Sequence, residues 1–162
     1  MQSLCALAHY DFNQAGAYSY EQAFQVGRRL ALSQQELEQL YRRAVFNIIA
    51  RNQDDHTKNI AFLMDRNGEW QLAPAFDVTY SYNPEGAWTS QHQMTLSGKR
   101  DGFQRSDLLT AASFADIKNR RALEILDEVF AAVKRWKSFA QKAGIAAPII
   151  ESIRKALRVS MK

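Results

Sequence analysis

At 162 residues, 46% apolar and 23% charged, the chain has the balance of one soluble domain with room for a real core. Its 21 basic and 17 acidic residues give a net charge of +4, a weak leaning toward anionic partners that a solvated basic face explains as well. Cys5 has no partner for an internal disulfide, and neither a membrane-length apolar run nor a basic-then-apolar leader occurs; the expectation is a soluble, cytoplasmic protein without membrane contact, Cys5 being a small buried residue.

Residues 1–8 read as a short helix, followed by a polar, glycine-containing connection over 9–17. Ser19 with Gln22 is a capping-box signature that opens a helix through Phe24, Val26 and Leu30, and Ser33 with Glu36 is another. Behind the second box, Leu37, Leu40, Tyr41, Ala44, Val45, Ile48 and Ile49 recur at the spacing of one helix face. This is the strongest stripe in the chain, and it requires a wide apolar partner surface. A hairpin comes next: an apolar strand over 60–64, a turn Asp65-Arg66-Asn67-Gly68, and a return strand over 70–72 ended by Pro74. Residues 80–90 form an aromatic-rich loop, in which Tyr80, Tyr82 and Trp88 either pack inward or present a recognition surface. A short strand is expected at 93–96 and a basic turn at 97–102. Helices resume over 106–112 and then from about 117 to 142, with Leu126, Val129, Phe130, Val133 and Trp136 on one face. Gly144 suits the end of that helix, and Pro148 the first turn of a last one carrying Ile149, Ile150, Ile153 and Leu157. Neither repeat nor linker divides residues 1–162. The fold class is mainly α with a small β-hairpin, in a single domain.

Between the striped helix and the hairpin lies a polar knot, Asn52-Gln53-Asp54-Asp55-His56-Thr57-Lys58-Asn59. Core elements on both sides make it a place where a rigid scaffold holds reactive groups. Asp54 and Asn59 are spaced Asp-x-x-x-x-Asn, the spacing of the protein-kinase catalytic loop, whose Asp orients the substrate hydroxyl and whose Asn holds Mg²⁺. Such a site needs a further Asp beyond a short hairpin, and the hairpin returns the chain toward the loop just before Asp77 in Ala75-Phe76-Asp77-Val78. Asn59 and Asp77 are hard oxygen donors suited to a metal that keeps waters and binds phosphate. His56 and Lys58 stand where they could meet phosphate charge; His56 could equally order the loop, and Lys58 could face solvent. Asp55 falls outside the spacing and receives no catalytic role. His9, His56 and His92 lack zinc-ligand spacing, and the Gly-x-Ser-x-Gly elbow of serine hydrolases is missing.

The run Phe46-Asn47-Ile48-Ile49-Ala50-Arg51-Asn52-Gln53-Asp54-Asp55-His56-Thr57-Lys58-Asn59, followed by Leu72-Ala73-Pro74-Ala75-Phe76-Asp77-Val78, resembles the C-terminal region of HipA-like serine/threonine kinases, the toxins of bacterial toxin–antitoxin modules. The stretch from His92 to Arg100 and the terminal helices are similar as well. The resemblance implies a protein-kinase-like C-lobe with Asp54 as catalytic Asp and with Asn59 and Asp77 on Mg²⁺. It also implies ATP as phosphoryl donor, a protein substrate such as an aminoacyl-tRNA synthetase, and a small DNA-binding antitoxin of HipB type, with DNA reached only through that antitoxin. Asn52-Gln53 and Phe-Asp-Val replace the common kinase His-Arg and Asp-Phe-Gly, in keeping with the HipA-like pattern. A Gly-rich phosphate loop and a Val-Ala-Ile-Lys strand do not occur, so the chain is expected to be a C-lobe with the N-lobe absent and little activity alone. Two other readings compete: a non-catalytic kinase-like module that docks an antitoxin or subunit, and a Mg²⁺-dependent phosphohydrolase or nuclease using Asp54, Asp55 and Asp77 together.

Overall fold

The computed structural model describes residues 1–161 and is mostly helical, with one small antiparallel sheet. In chain order the elements are β1 (Gln2–Ser3), α1 (Leu4–Ala8), α2 (Tyr20–Arg29), α3 (Gln34–Ala50), β2 (Ala61–Met64), β3 (Trp70–Leu72), α4 (Arg105–Ser113), α5 (Asn119–Lys134), α6 (Trp136–Lys142) and α7 (Ala147–Ala156). Among the described residues, no helix is long and apolar enough to cross a membrane.

Helix α3 is the axis of the molecule. Its start is the expected box: Ser33 Oγ accepts from Glu36 N, and Glu36 Oε2 accepts from Ser33 N at 2.9 Å. Glu36 Oε1 also accepts from Leu72 N at 2.8 Å, so the same carboxylate holds the return strand of the hairpin. All seven stripe residues are buried, facing α2 on one side and α5 on the other. The Tyr41 hydroxyl donates to Leu108 O at 3.0 Å, which fastens α4 to the same face. The second box, Ser19 with Gln22, starts α2 as expected.

Four expectations need correction. Residues 1–8 are not one helix: Gln2 and Ser3 pair with Phe62 and Ala61, adding a third strand to the hairpin. Extended backbone there lets Leu4 N donate to Ile60 O at 2.7 Å before α1 begins. Residues 93–96 are not a strand; Thr95 makes a single bridge to Ser19, donating to Tyr18 O and accepting from Tyr20 N, each at 2.9 Å. The long terminal helix is broken at Arg135, whose N–H bonds Ala132 O and Val133 O instead of continuing the ladder. The break turns α6 so that the Trp136 indole donates to Ile150 O of α7 at 3.1 Å. Cys5 is only partly buried, with its sulfur 3.2 Å from Ser3 Oγ.

In the hairpin the register pairs Phe62 with Leu72 and Met64 with Trp70. Asp65 Oδ1 accepts from Asn67 N and Glu69 N at 2.8 and 2.9 Å, and Gly68 takes the left-handed φ of +86° that the turn demands. The hairpin thereby delivers residues 73–80 back across the end of α3.

Candidate active site

Helix α3 ends on Arg51 in the left-handed region, φ +61°. Its guanidinium is spent on structure: Nε donates to Ala156 O at 2.9 Å, Nη1 donates to Gln53 Oε1 at 3.0 Å, and the group lies 4.0 Å above the Tyr82 ring. Beyond it the polar knot is held residue by residue. Asn52 Nδ2 donates to Asn47 Oδ1 at 3.1 Å, Gln53 Nε2 donates to Thr89 O at 3.3 Å, and Asp54 N donates to Ser81 Oγ at 2.9 Å. The loop is thus braced by α3 below and the 80–90 loop beside it. Within that loop Tyr82 packs under Arg51 while Trp88 stays exposed.

Asp54 and Asp55 point opposite ways. The Asp54 carboxylate is about half exposed, with His56 Nε2 3.7 Å from its Oδ1, beyond hydrogen-bond reach. Asp55 is buried and accepts three hydrogen bonds: Tyr20 hydroxyl at 2.6 Å, Gln93 N at 2.8 Å and His92 Nδ1 at 2.7 Å. Burial alone would raise the Asp55 pKa, but the His92 ring and these donors hold it below the ordinary carboxylate range. The Tyr20 phenol is pushed well up by its burial and by the Asp55 charge, so it stays a donor. With its oxygens committed inward, Asp55 cannot join Asp54 and Asp77 in a metal cluster. The three-carboxylate arrangement a phosphohydrolase or nuclease would use is not assembled, and among the described residues no three His, Cys, Asp or Glu side chains converge on a metal position.

Asn59 and Asp77 do come together. Both line one cleft at the end of α3, beside Asn47, Asn52 and Arg43. Asn59 Nδ2 donates to Asp54 O at 2.9 Å, which ties the two ends of the Asp-x-x-x-x-Asn loop and leaves the amide oxygen as the free donor atom. Asp77 is exposed, forms no hydrogen bond or ion pair among the described residues, and sits at φ +53°, a left-handed conformation that Asp tolerates better than most side chains. Strain of this kind concentrates at sites where a side chain must be aimed. The whole arm 74–80 around it is exposed, including Phe76, Val78 and Tyr80.

The remaining two candidates lie to the side. His56 is mostly buried, its ring 6.4 Å from Phe12 and its Nδ1 buried without a partner among the described residues. Lys58 is exposed, its ammonium 3.9 Å over the same Phe12 ring rather than in the Asn59–Asp77 cleft. Sequence reasoning missed Tyr20, Asn47, Ser81 and His92 as supports of the loop.

A family model for the HipA-like C-terminal domain matches residues 1–137. The chain belongs to that family. Among solved structures, HipA of Shewanella oneidensis MR-1, determined with HipB and its operator DNA as a toxin–antitoxin system, shares the fold at a TM-score of 0.60 and 18% identity. The alignment covers 72% of this chain and 28% of that HipA, so the HipA-like domain corresponds to a little over a quarter of the longer protein. No curated protein matches the chain.

Proposed function

We propose that this HipA-like domain is the catalytic C-lobe of a serine/threonine protein kinase, the toxin component of a toxin–antitoxin pair acting in the bacterial cytoplasm. The observation that carries the reading is the pairing of Asn59 and Asp77 in one cleft, with Asn59 bonded back to the backbone of Asp54. The donor set fits Mg²⁺: an amide oxygen and a carboxylate without competing partners among the described residues, leaving the rest of the shell to water and phosphate oxygens. Bound Mg²⁺–ATP would supply the phosphoryl group and neutralise its charge.

In this reading Asp54 orients and accepts the proton of a protein serine hydroxyl, its half-exposed carboxylate being open to a substrate while its backbone is fixed on Ser81. His56, at the edge of Asp54, and Lys58 are assigned supporting roles toward the phosphates, for which Lys58 has to leave Phe12. A HipB-type antitoxin is the proposed partner, with DNA reached through it. The second lobe of the phosphate cradle would come from an N-lobe, so this domain alone transfers phosphate poorly.

Calorimetric titration with ATP, with and without Mg²⁺, tests the reading. The expected result is Mg²⁺-dependent binding that Asp77→Asn removes, and transfer to protein once an N-lobe of a HipA-like kinase is added. Metal-independent binding of an antitoxin, with no nucleotide affinity even beside an N-lobe, would establish the docking module instead.

A further inference from the structure

The buried face of the site loop ends on a residue that the family match does not reach. Arg158 follows α7, and its side chain is only 10% exposed. Its N–H donates to Ile49 O at 3.0 Å and its Nη1 to Ile48 O at 2.7 Å, occupying carbonyls at the end of α3. The same Nη1 lies 2.9 Å from His92 Nε2. Asp101 pairs with Nη2, and the guanidinium lies 5.4 Å from the Phe103 ring, which also meets His92 edge-on.

A guanidinium has donors and no acceptor. At 2.9 Å, therefore, His92 Nε2 must present its lone pair, and the single ring proton must sit on Nδ1, where it is given to Asp55 Oδ2 at 2.7 Å. A second ring proton would set two buried cations donor against donor. The charged groups beside this pair agree with that assignment: Asp101 neutralises Arg158, Arg51 stands 4.0 Å from Asp101, and Arg100 donates to the His92 carbonyl. The chain of contacts runs Arg158, neutral His92, Asp55, and Asp55 is the residue next to Asp54.

We infer that Arg158 is a positioning residue for the catalytic loop: by holding His92 as a neutral Nδ1–H donor it locks Asp55 inward and so aims Asp54 and Asn59. Calling the loop catalytic rests on the kinase reading; the lock itself does not. Because Asp54 and Asp55 share a peptide bond, holding Asp55 inward fixes one end of the peptide plane from which Asp54 projects. The matched family domain ends at residue 137, so the lock is supplied from outside it.

The test begins on the unaltered 162-residue chain with ¹⁵N-labelled histidine, of which it has three. Long-range ¹H–¹⁵N correlation is expected to show His92 as the neutral Nδ1–H tautomer. An imidazolium or an Nε2–H tautomer overturns the proposal. Arg158→Met is expected to release the ring to the other tautomer and to speed amide exchange of residues 52–59 at least ~10-fold, with the α3 core unchanged. Arg158→Lys, which keeps a donor and the charge, is expected to restore both, and it carries the comparison with wild type if Arg158→Met fails to fold. Loop exchange equal to wild type in whichever of these variants loses the tautomer overturns the positioning role. In a transfer assay with an N-lobe, Arg158→Met is expected to lower kcat about 10-fold with KM for ATP unchanged. Absence of transfer by the wild type sinks the kinase reading and leaves the lock to be decided by the ring and the exchange rates.

Discussion

Asp54 and Asp55 are neighbours in sequence with side chains 46% and 1% exposed, and the two faces of the loop they divide are built differently. The inner face is buried and hydrogen-bonded: Asp55 accepts from Tyr20, His92 and Gln93, and Asn47 donates to the same Tyr20 hydroxyl at 3.0 Å. On the outer face, Asp54, Asn59 and Asp77 keep oxygens without protein partners among the described residues. In the proposed kinase reading, stability and reactivity thus fall to adjacent residues instead of being compromised in one. A carboxylate that must accept a proton from a substrate cannot also be satisfied by the protein.

The sharpest way to separate the two faces is to remove one carboxylate at a time. Asp54→Ala is expected to reduce phosphoryl transfer, assayed beside an N-lobe, by about 10²–10⁴-fold while leaving the unfolding free energy from urea melts within about 0.5 kcal/mol of wild type. Unchanged transfer would remove Asp54 from its proposed role. Asp55→Asn should do the reverse at the level of folding, costing about 3–5 kcal/mol because the buried donors of Tyr20, His92 and Gln93 lose the carboxylate they share. A melt indistinguishable from wild type would mean that the inner face is not the structural half of the pair.

The same comparison has a pH signature. Asp55 has a lowered pKa in the folded chain, so its contribution to stability is fully present above the unfolded value of about 3.9 and is lost as pH falls through the folded one. Urea melts below about pH 4 should therefore fall steeply for wild type and more gently for Asp55→Asn. Ser81→Ala, which removes the acceptor for Asp54 N, is expected to cost about 1 kcal/mol in the same melts and to raise amide exchange at Asp54. The smallest effect belongs to the outer face: Asp77→Gly relieves the left-handed φ of +53° and should raise stability by up to about 1 kcal/mol while abolishing Mg²⁺-dependent nucleotide binding. A loss of stability would show that Asp77 has protein partners in solution.

How much of this was legible depends on how far apart the cooperating residues lie. The capping boxes at Ser19 and Ser33, the α3 stripe and the Asn-Gly hairpin are local codes, and each stands where its spacing placed it. The Asp54–Asn59 spacing and the return of Asp77 are nearly local too, so the outer face was readable. The inner face was not, since Tyr20, His92 and Arg158 meet Asp55 only through tertiary packing and follow no periodicity. The break at Arg135 was hidden for another reason: neither Gly nor Pro marks it, and what fixes it is the reach of Trp136 to Ile150. The first strand was missed because two residues carry no pattern until their partners are known.

The span of the inner network has a kinetic consequence. Asp55 meets Tyr20 and His92 across separations of 35 and 37 residues, and Arg158 meets His92 across 66 and Ile48 across 110. Contacts this distant form slowly, since loop closure must come before any gain. The helices and the hairpin can form from neighbours, whereas the loop that carries Asp54 is fixed only when all four segments have arrived. The working geometry is therefore the last part of the molecule to mature, and a refolding chain should regain its helical signal before it regains protection at residues 52–59.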